Sequence, residues 1–154
     1  MVKKGKPRPS GPPTILNRRA RFDYEILETY EAGIVLVGAE VKSVLAGKVN
    51  LSGAHARIRD GELWIDEMDV APYEKATSYV PDRQRSRKLL LHRREIAVLR
   101  RRSEERGLAL IPTKVYFRNG RVKVEIAVAR GKRQYDKRRT LAEKDTRREL
   151  ERKQ

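Results

Sequence analysis

The chain offers few groups for covalent chemistry. It has two histidines, His55 and His92, and no cysteine. Neither histidine lies in a His-Glu-x-x-His pattern, so neither makes a zinc site. The lack of cysteine also removes disulfide scaffolds, zinc fingers and thiol catalysis. Ala46-Gly47-Lys48 resembles the end of a phosphate-binding loop. Such a loop needs a glycine five residues before the Gly of the Gly-Lys pair and a Ser or Thr after the lysine, whereas Lys42 and Val49 stand there. No Gly-x-Ser-x-Gly elbow exposes a serine. Asp60, Glu62, Asp66, Glu67 and Asp69 invite a magnesium reading. On a strand, however, Glu62 and Asp66 share one face and Glu67 and Asp69 the other, as on a solvated outer surface. No catalytic, metal or cofactor constellation is left, and the chain is not read as an enzyme.

What remains is a surface for phosphate and for stacking. Arg83, Arg85, Arg87 and Lys88 precede the run Leu89-Leu90-Leu91, and Arg93 and Arg94 follow it. On a helix the leucines would anchor to the body while the ends present guanidinium forks to phosphate oxygens. Tyr24, Tyr30, Trp64, Tyr116 and Phe117 fall on expected strands. There they serve chiefly as core or cross-strand packing, and otherwise as stacking faces. Nothing reads as a recognition helix for the DNA major groove, so RNA read by shape and backbone fits better.

The elements that carry these residues follow from periodicity and turns. Phe22 to Tyr30 largely alternates apolar with acidic and reads as a strand. Glu31-Ala32-Gly33 reads as a turn, and Ile34 to Val37 as a short buried strand pairing back. Ala39 to Ala46 places Val41, Val44 and Leu45 on one helical face and stops at Gly47. Asp60-Gly61 and Asn119-Gly120 are hairpin turns, because their residues tolerate positive φ. Arg83 to Arg106, free of Gly and Pro, reads as one long helix or two in succession. Six strands and two or three helices suggest a small antiparallel barrel, mainly β.

Composition agrees. Thirty-seven Lys and Arg against 21 Asp and Glu leave 154 residues with a net charge of +16, which calls for an acidic partner. The excess is segregated: +7 over residues 1–21, −6 over 22–69, +6 over 70–107, +3 over 108–129 and +6 over 130–154. Residues 1–13 read as a disordered basic arm, 14–129 as the folded domain, and 130–154 as a basic tail too poor in apolar residues to order alone. Thr140 and Glu143 have the spacing of a capping box, so a helix can start there once phosphates neutralise the tail. No apolar run is long enough for a membrane span and no signal peptide is evident, so a soluble, cytosolic protein is expected. Composition alone leaves open a protein held permanently on ribosomal RNA.

Six ordered motifs narrow this: Asn17-Arg-Arg-Ala-Arg21, Tyr30-Glu-Ala-Gly33, Gly38-Ala-Glu-Val-Lys-Ser43, Ala46-Gly-Lys-Val-Asn50, Arg87-Lys-Leu-Leu-Leu91 and Gly131-Lys-Arg-Gln-Tyr-Asp-Lys-Arg138. Together, in this order and spacing, they resemble the small protein B family, the tmRNA-binding proteins of bacterial trans-translation. The resemblance runs from about Thr14 to the C-terminus. It implies an oligonucleotide-binding-like β-barrel with flanking helices. The implied activity is to bind the tRNA-like domain of tmRNA and deliver alanyl-tmRNA, with elongation factor Tu and GTP, to stalled ribosomes.

The same resemblance implies the site. Glu31, Leu90 and Lys123 match positions associated with tmRNA binding. Asn17, Arg18, Arg19 and Arg21 belong to the first motif, Lys42 to the third, and Arg87 and Lys88 to the fifth. Gly131, Lys132, Arg133, Asp136, Lys137 and Arg138 match a tail motif that acts at the ribosomal decoding centre and in the vacated mRNA path. Phe22 stands where the family usually has His, and Ala39 where Thr or a bulky residue is frequent. Glu31 is unusual for an RNA contact, but a carboxylate accepts from an exocyclic amine or a 2′-hydroxyl.

Overall fold

The structure is a computed structural model that describes residues 11–76, 79–132 and 141–148. In chain order its elements are β1 (Ile15–Leu16), α1 (Arg18–Asp23), β2 (Tyr24–Ile34), α2 (Gly38–Leu45), β3 (Val49–Asn50), β4 (His55–Arg59), β5 (Glu62–Asp66), β6 (Asp69–Val70), β7 (Arg87–Leu90), α3 (Arg93–Glu104), β8 (Leu108–Arg118) and β9 (Arg121–Gly131). Both hairpins form at the expected turns, with Asp60, Gly61, Asn119 and Gly120 all at positive φ. Six strands close on themselves in the order β8-β4-β5-β7-β2-β9 and back to β8, all antiparallel. The mainly β antiparallel barrel with flanking helices is therefore as expected. Closure leaves few free edges, which is how small β domains avoid pairing with one another.

Alternation fills the barrel. Ala32, Leu63, Ile65, Leu89, Val115, Val124 and Ile126 point inward and are fully buried, and Leu99 of α3 joins them. Their neighbours along each strand project outward. Of the expected α2 stripe only Val44 is fully buried; Leu45 is exposed, and the buried face takes Glu40 and Ser43 instead. Among the described residues no helix is long and apolar enough to cross a membrane.

Three local expectations are corrected. Glu31 to Gly33 is not a turn and Ile34 to Val37 is not a buried strand returning from it: β2 runs unbroken from Tyr24 to Ile34, paired to β9 on one edge and at its end to β7 on the other, and Val35 beyond it is exposed. Gly33 lies directly beside β7. A Cβ at that position would lie 3.4 Å from Leu90 Cβ. Nor is Arg83 to Arg106 helical throughout. Leu89 pairs with both Ile34 and Leu63, so this part of the run is a central strand, and α3 begins only at Arg93. A short apolar run suits either state locally, and the two neighbouring strands decide it.

At the C-terminal end β9 continues through Arg130 and Gly131, and the Lys132 amide donates to Asp23 O at 2.9 Å. The ordered ladder thus passes the expected boundary at 129 by two residues. Residues 141–148 form two turns of helix with every side chain exposed.

Candidate nucleic-acid interface

Three distant parts of the chain meet on the outer wall of the barrel. Tyr116 of β8 pairs with Lys123 of β9, Lys123 with Gly33 of β2, and Gly33 with Leu90 of β7. Two residue pairs along, Lys114, Glu125 and Glu31 form a parallel row. Residues directly opposite share a face, so all seven point outward. Leu90 is 51% exposed, a leucine standing on a polar wall, while the Gly33 beside it adds no side chain of its own. Lys123 has no acidic ion-pair partner among the described residues.

Glu31 is held from two sides. The Tyr116 hydroxyl donates to Glu31 Oε1 at 2.5 Å, and Arg118 Nη1 lies 3.2 Å from Oε2. The bond from Tyr116, with Arg118 and Lys123 nearby, holds the Glu31 carboxyl below the usual carboxylate range against the opposing effect of desolvation. Conversely, desolvation and this same bond push the Tyr116 hydroxyl up to about 12. Lys114 Nζ sits 5.2 Å from the Tyr116 ring centroid, a cation–π contact. The carboxylate therefore orients a phenol and a guanidinium on a surface that also presents Lys114, Lys123 and Glu125. Lys114 and Arg118 were missed in the sequence, although alternation along the strand leading to Asn119-Gly120 places both on the face of Tyr116.

Two sequence candidates serve the protein itself. Arg87 is fully buried and cannot face a phosphate. It donates to Glu40 Oε2 at 2.7 Å and to the carbonyls of Met68, Arg85 and Arg83. Arg85 joins the same carboxylate at Glu40 Oε1. Burial pushes the Glu40 carboxyl up, but bonds from Arg85, the Val37 amide and Arg87 outweigh it and hold the group below its ordinary value. Arg87 thus ties α2 to β7. Asn17 is buried as well: its Oδ1 caps α1 by accepting from the Ala20 amide, and its Nδ2 donates to Pro112 O at 2.8 Å and Leu51 O at 3.3 Å. Every side-chain polar atom of Asn17 is used within the fold.

The other candidates divide into two groups. Lys88, 3.7 Å from Glu62, lies beside the Leu90 row, and Lys42 is exposed on α2, which follows β2. Arg18, Arg19 and Arg21 are exposed on α1 at the opposite end of β2, where Ala20 packs on Ile111 and Ala129. Arg19 pairs with Asp23 at 3.3 Å. Gly131 and Lys132 join this end: Gly131 pairs with Tyr24, and Lys132 Nζ donates to Arg21 O. Gly33 lies nine positions along the strand from Tyr24, roughly 30 Å away. The α1 arginines and the root of the tail therefore lie well away from Leu90 and Lys123. Arg133, Asp136, Lys137 and Arg138 lie outside the described residues.

A family model described as "SmpB protein" matches residues 14–154. An SsrA-binding protein of Desulforudis audaxviator (strain MP104C) is 54% identical over 136 residues, covering 88% of this chain and 89% of the relative. One from Thermobifida fusca (strain YX) is 52% identical over 151 residues, covering 97% and 94%. One from Syntrophomonas wolfei is 50% identical over 152 residues, covering 99% and 95%. A solved structure described as "tmRNA-SmpB: a journey to the center of the bacterial ribosome" superposes with a TM-score of 0.69 at 50% identity, over 84% of this chain and 94% of that one.

Proposed function

The chain belongs to the SmpB protein family, and on that footing we propose that it binds tmRNA for trans-translation. In this reading it is an RNA-binding adaptor of the cytoplasm with no catalytic role of its own. It holds the tRNA-like domain of tmRNA and brings the RNA to ribosomes stalled on incomplete messages. Elongation factor Tu with GTP reaches the complex through alanyl-tmRNA.

The observation that most supports this assignment is the outward row Tyr116, Lys123, Gly33 and Leu90, with Glu31 alongside. A lysine with no ion pair among the described residues, an exposed leucine and an oriented phenol on one face suit a folded RNA, which offers phosphates, 2′-hydroxyls and splayed bases. Glu31, Lys42, Lys88, Leu90 and Lys123 are assigned to tmRNA. Arg18, Arg19 and Arg21 supply positive charge at the other end of the barrel, where Gly131 and Lys132 lead into the tail. The tail, with Arg133, Asp136, Lys137 and Arg138, acts on the ribosome, and the arm of residues 1–13 adds non-specific attraction.

Sequencing the RNA that co-purifies with tagged protein after high-salt washing tests the assignment. One small structured RNA with a tRNA-like end should dominate. Recovery of ribosomal RNA alone would favour a protein held permanently on ribosomal RNA.

A further inference from the structure

The chain has one tryptophan, and the interface described above leaves it unused. Trp64 sits on β5 between Leu63 and Ile65, both fully buried, so its indole projects from the outer face, where it is half-buried. Its cross-strand neighbours are Arg57 on β4 and Lys88 on β7. Val35 donates its amide to Lys88 O at 3.0 Å, which places Val35 on the other side of that lysine. Leu90, two residues along β7 from Lys88, lies on the diagonal from Trp64. Val35 is 46% and Leu90 51% exposed. Three apolar side chains thus surround Lys88 on a wall that is otherwise charged.

The patch has a definite chemistry. The cations flank the indole instead of covering it: Arg57 is turned toward Asp66, and Lys88 toward Glu62. The ring–cation contact seen among the described residues is Lys114 over Tyr116. Asp66 and Glu62, the acids on this face of β5, are each already paired with one of those cations. The surface continues through Leu90 into the row that holds Lys123. An aromatic with cations on both sides, joined to the row that presents Lys123, is the arrangement by which barrels hold single-stranded nucleic acid.

We propose that Trp64 is a stacking platform for an unpaired base of the bound RNA. Leu90 and Val35 complete the apolar seat, and Lys88 and Arg57 meet the phosphates on either side. The proposal rests on the RNA-binding function above and adds to it a base-stacking position. A base locked in a duplex cannot reach the indole, so the occupant is an unpaired nucleotide in a loop or bulge.

Because no second tryptophan contributes, indole emission reads this site alone. Full-length protein is titrated with a transcript of the tRNA-like domain, following emission and, in parallel, filter retention. Emission should be quenched along the same saturation curve as retention, and a perfect RNA duplex of equal length should leave it unchanged. Trp64→Leu keeps the apolar bulk and removes the ring. It should weaken binding about 5- to 150-fold, the range for one stacked base, with an unaltered thermal melt, and Trp64→Phe should restore much of the loss. Retention with constant emission, or Trp64→Leu binding like the parent, would overturn the stacking site while leaving RNA binding intact. Absence of retention by the parent protein would overturn the RNA-binding function beneath it.

Discussion

Replacing Arg87 by Met separates fold from interface. Arg87 and Glu40 are respectively 0% and 3% exposed, and the guanidinium makes four hydrogen bonds, one to Glu40 and three to backbone carbonyls. Removing one partner of a buried ion pair costs about 3–5 kcal/mol, because the remaining charge stays out of water. Here Arg85 and the Val37 amide still hold Glu40, which argues for the lower half of that range. At about 2–4 °C per kcal/mol for a chain of this size, the melting temperature of Arg87→Met should fall by roughly 6–15 °C. Urea unfolding followed by circular dichroism gives the free energy. Filter binding well below the melting point gives RNA affinity, which should stay within about twofold of the parent, since a 0.4 kcal/mol change is about a factor of two. Replacing both Arg87 and Glu40 by apolar residues should recover part of the loss, as buried pairs often exchange for apolar side chains at little cost. The reasoning is refuted if Arg87→Met keeps its stability within about 1 kcal/mol while RNA affinity drops, for Arg87 would then be a surface phosphate ligand.

Four further outcomes follow from the same geometry. Glu31→Ala and Tyr116→Phe should each weaken RNA binding, and the double variant should lose less than the sum of the two, because the residues share one hydrogen bond while Glu31 also holds Arg118; fully additive losses in a double-mutant cycle would mean that bond does not couple them. Stability should be level above pH 5 or so and decline as pH falls below 4.5, the ordinary glutamate value from which the folded Glu40 carboxyl is depressed; a folded-state pKa held low contributes stability only while the unfolded group would also be ionised, and Glu40→Gln should blunt the decline in acid titrations. Binding to the tRNA-like RNA should weaken with salt at a log–log slope of roughly −3 to −7 for about 4–8 phosphate contacts, and Lys123→Ala should make it shallower by about one; a slope near zero would remove the electrostatic account. Cutting the chain after Arg133 should leave tmRNA affinity nearly intact and abolish tagging of stalled products; loss of affinity would place RNA contacts in the tail.

Much of the molecule is legible in the sequence because it depends on neighbours a few residues apart. Asp60-Gly61 and Asn119-Gly120 dictate their hairpins, since few residues accept positive φ. Alternation orients β4, β5, β8 and β9, Gly47 ends α2, and segregated charge announces a polyanionic partner. The ordered motifs also carry the family. What misleads is any segment whose conformation is chosen by strands remote in sequence. Gly33 has the local character of a turn residue, yet it lies within the sheet because β9 and β7 pair with it on both sides. Leu89 to Leu91 suits a helix until β2 and β5 claim its backbone hydrogen bonds.

Side-chain roles divide in the same way. A run of arginines reads as a uniform phosphate surface, but the barrel turns Arg87 inward onto Glu40, a residue 47 positions away, and gives Asn17 three partners within the fold. Glu31, Leu90, Lys123 and Trp64 share one wall only after six strands close in a particular register. Spacing along the chain determines local backbone preference and the sign of the charge. Which charge is buried, and which residues become neighbours on a surface, is settled by long-range strand pairing, because closing the sheet sends alternate side chains to opposite sides of the wall.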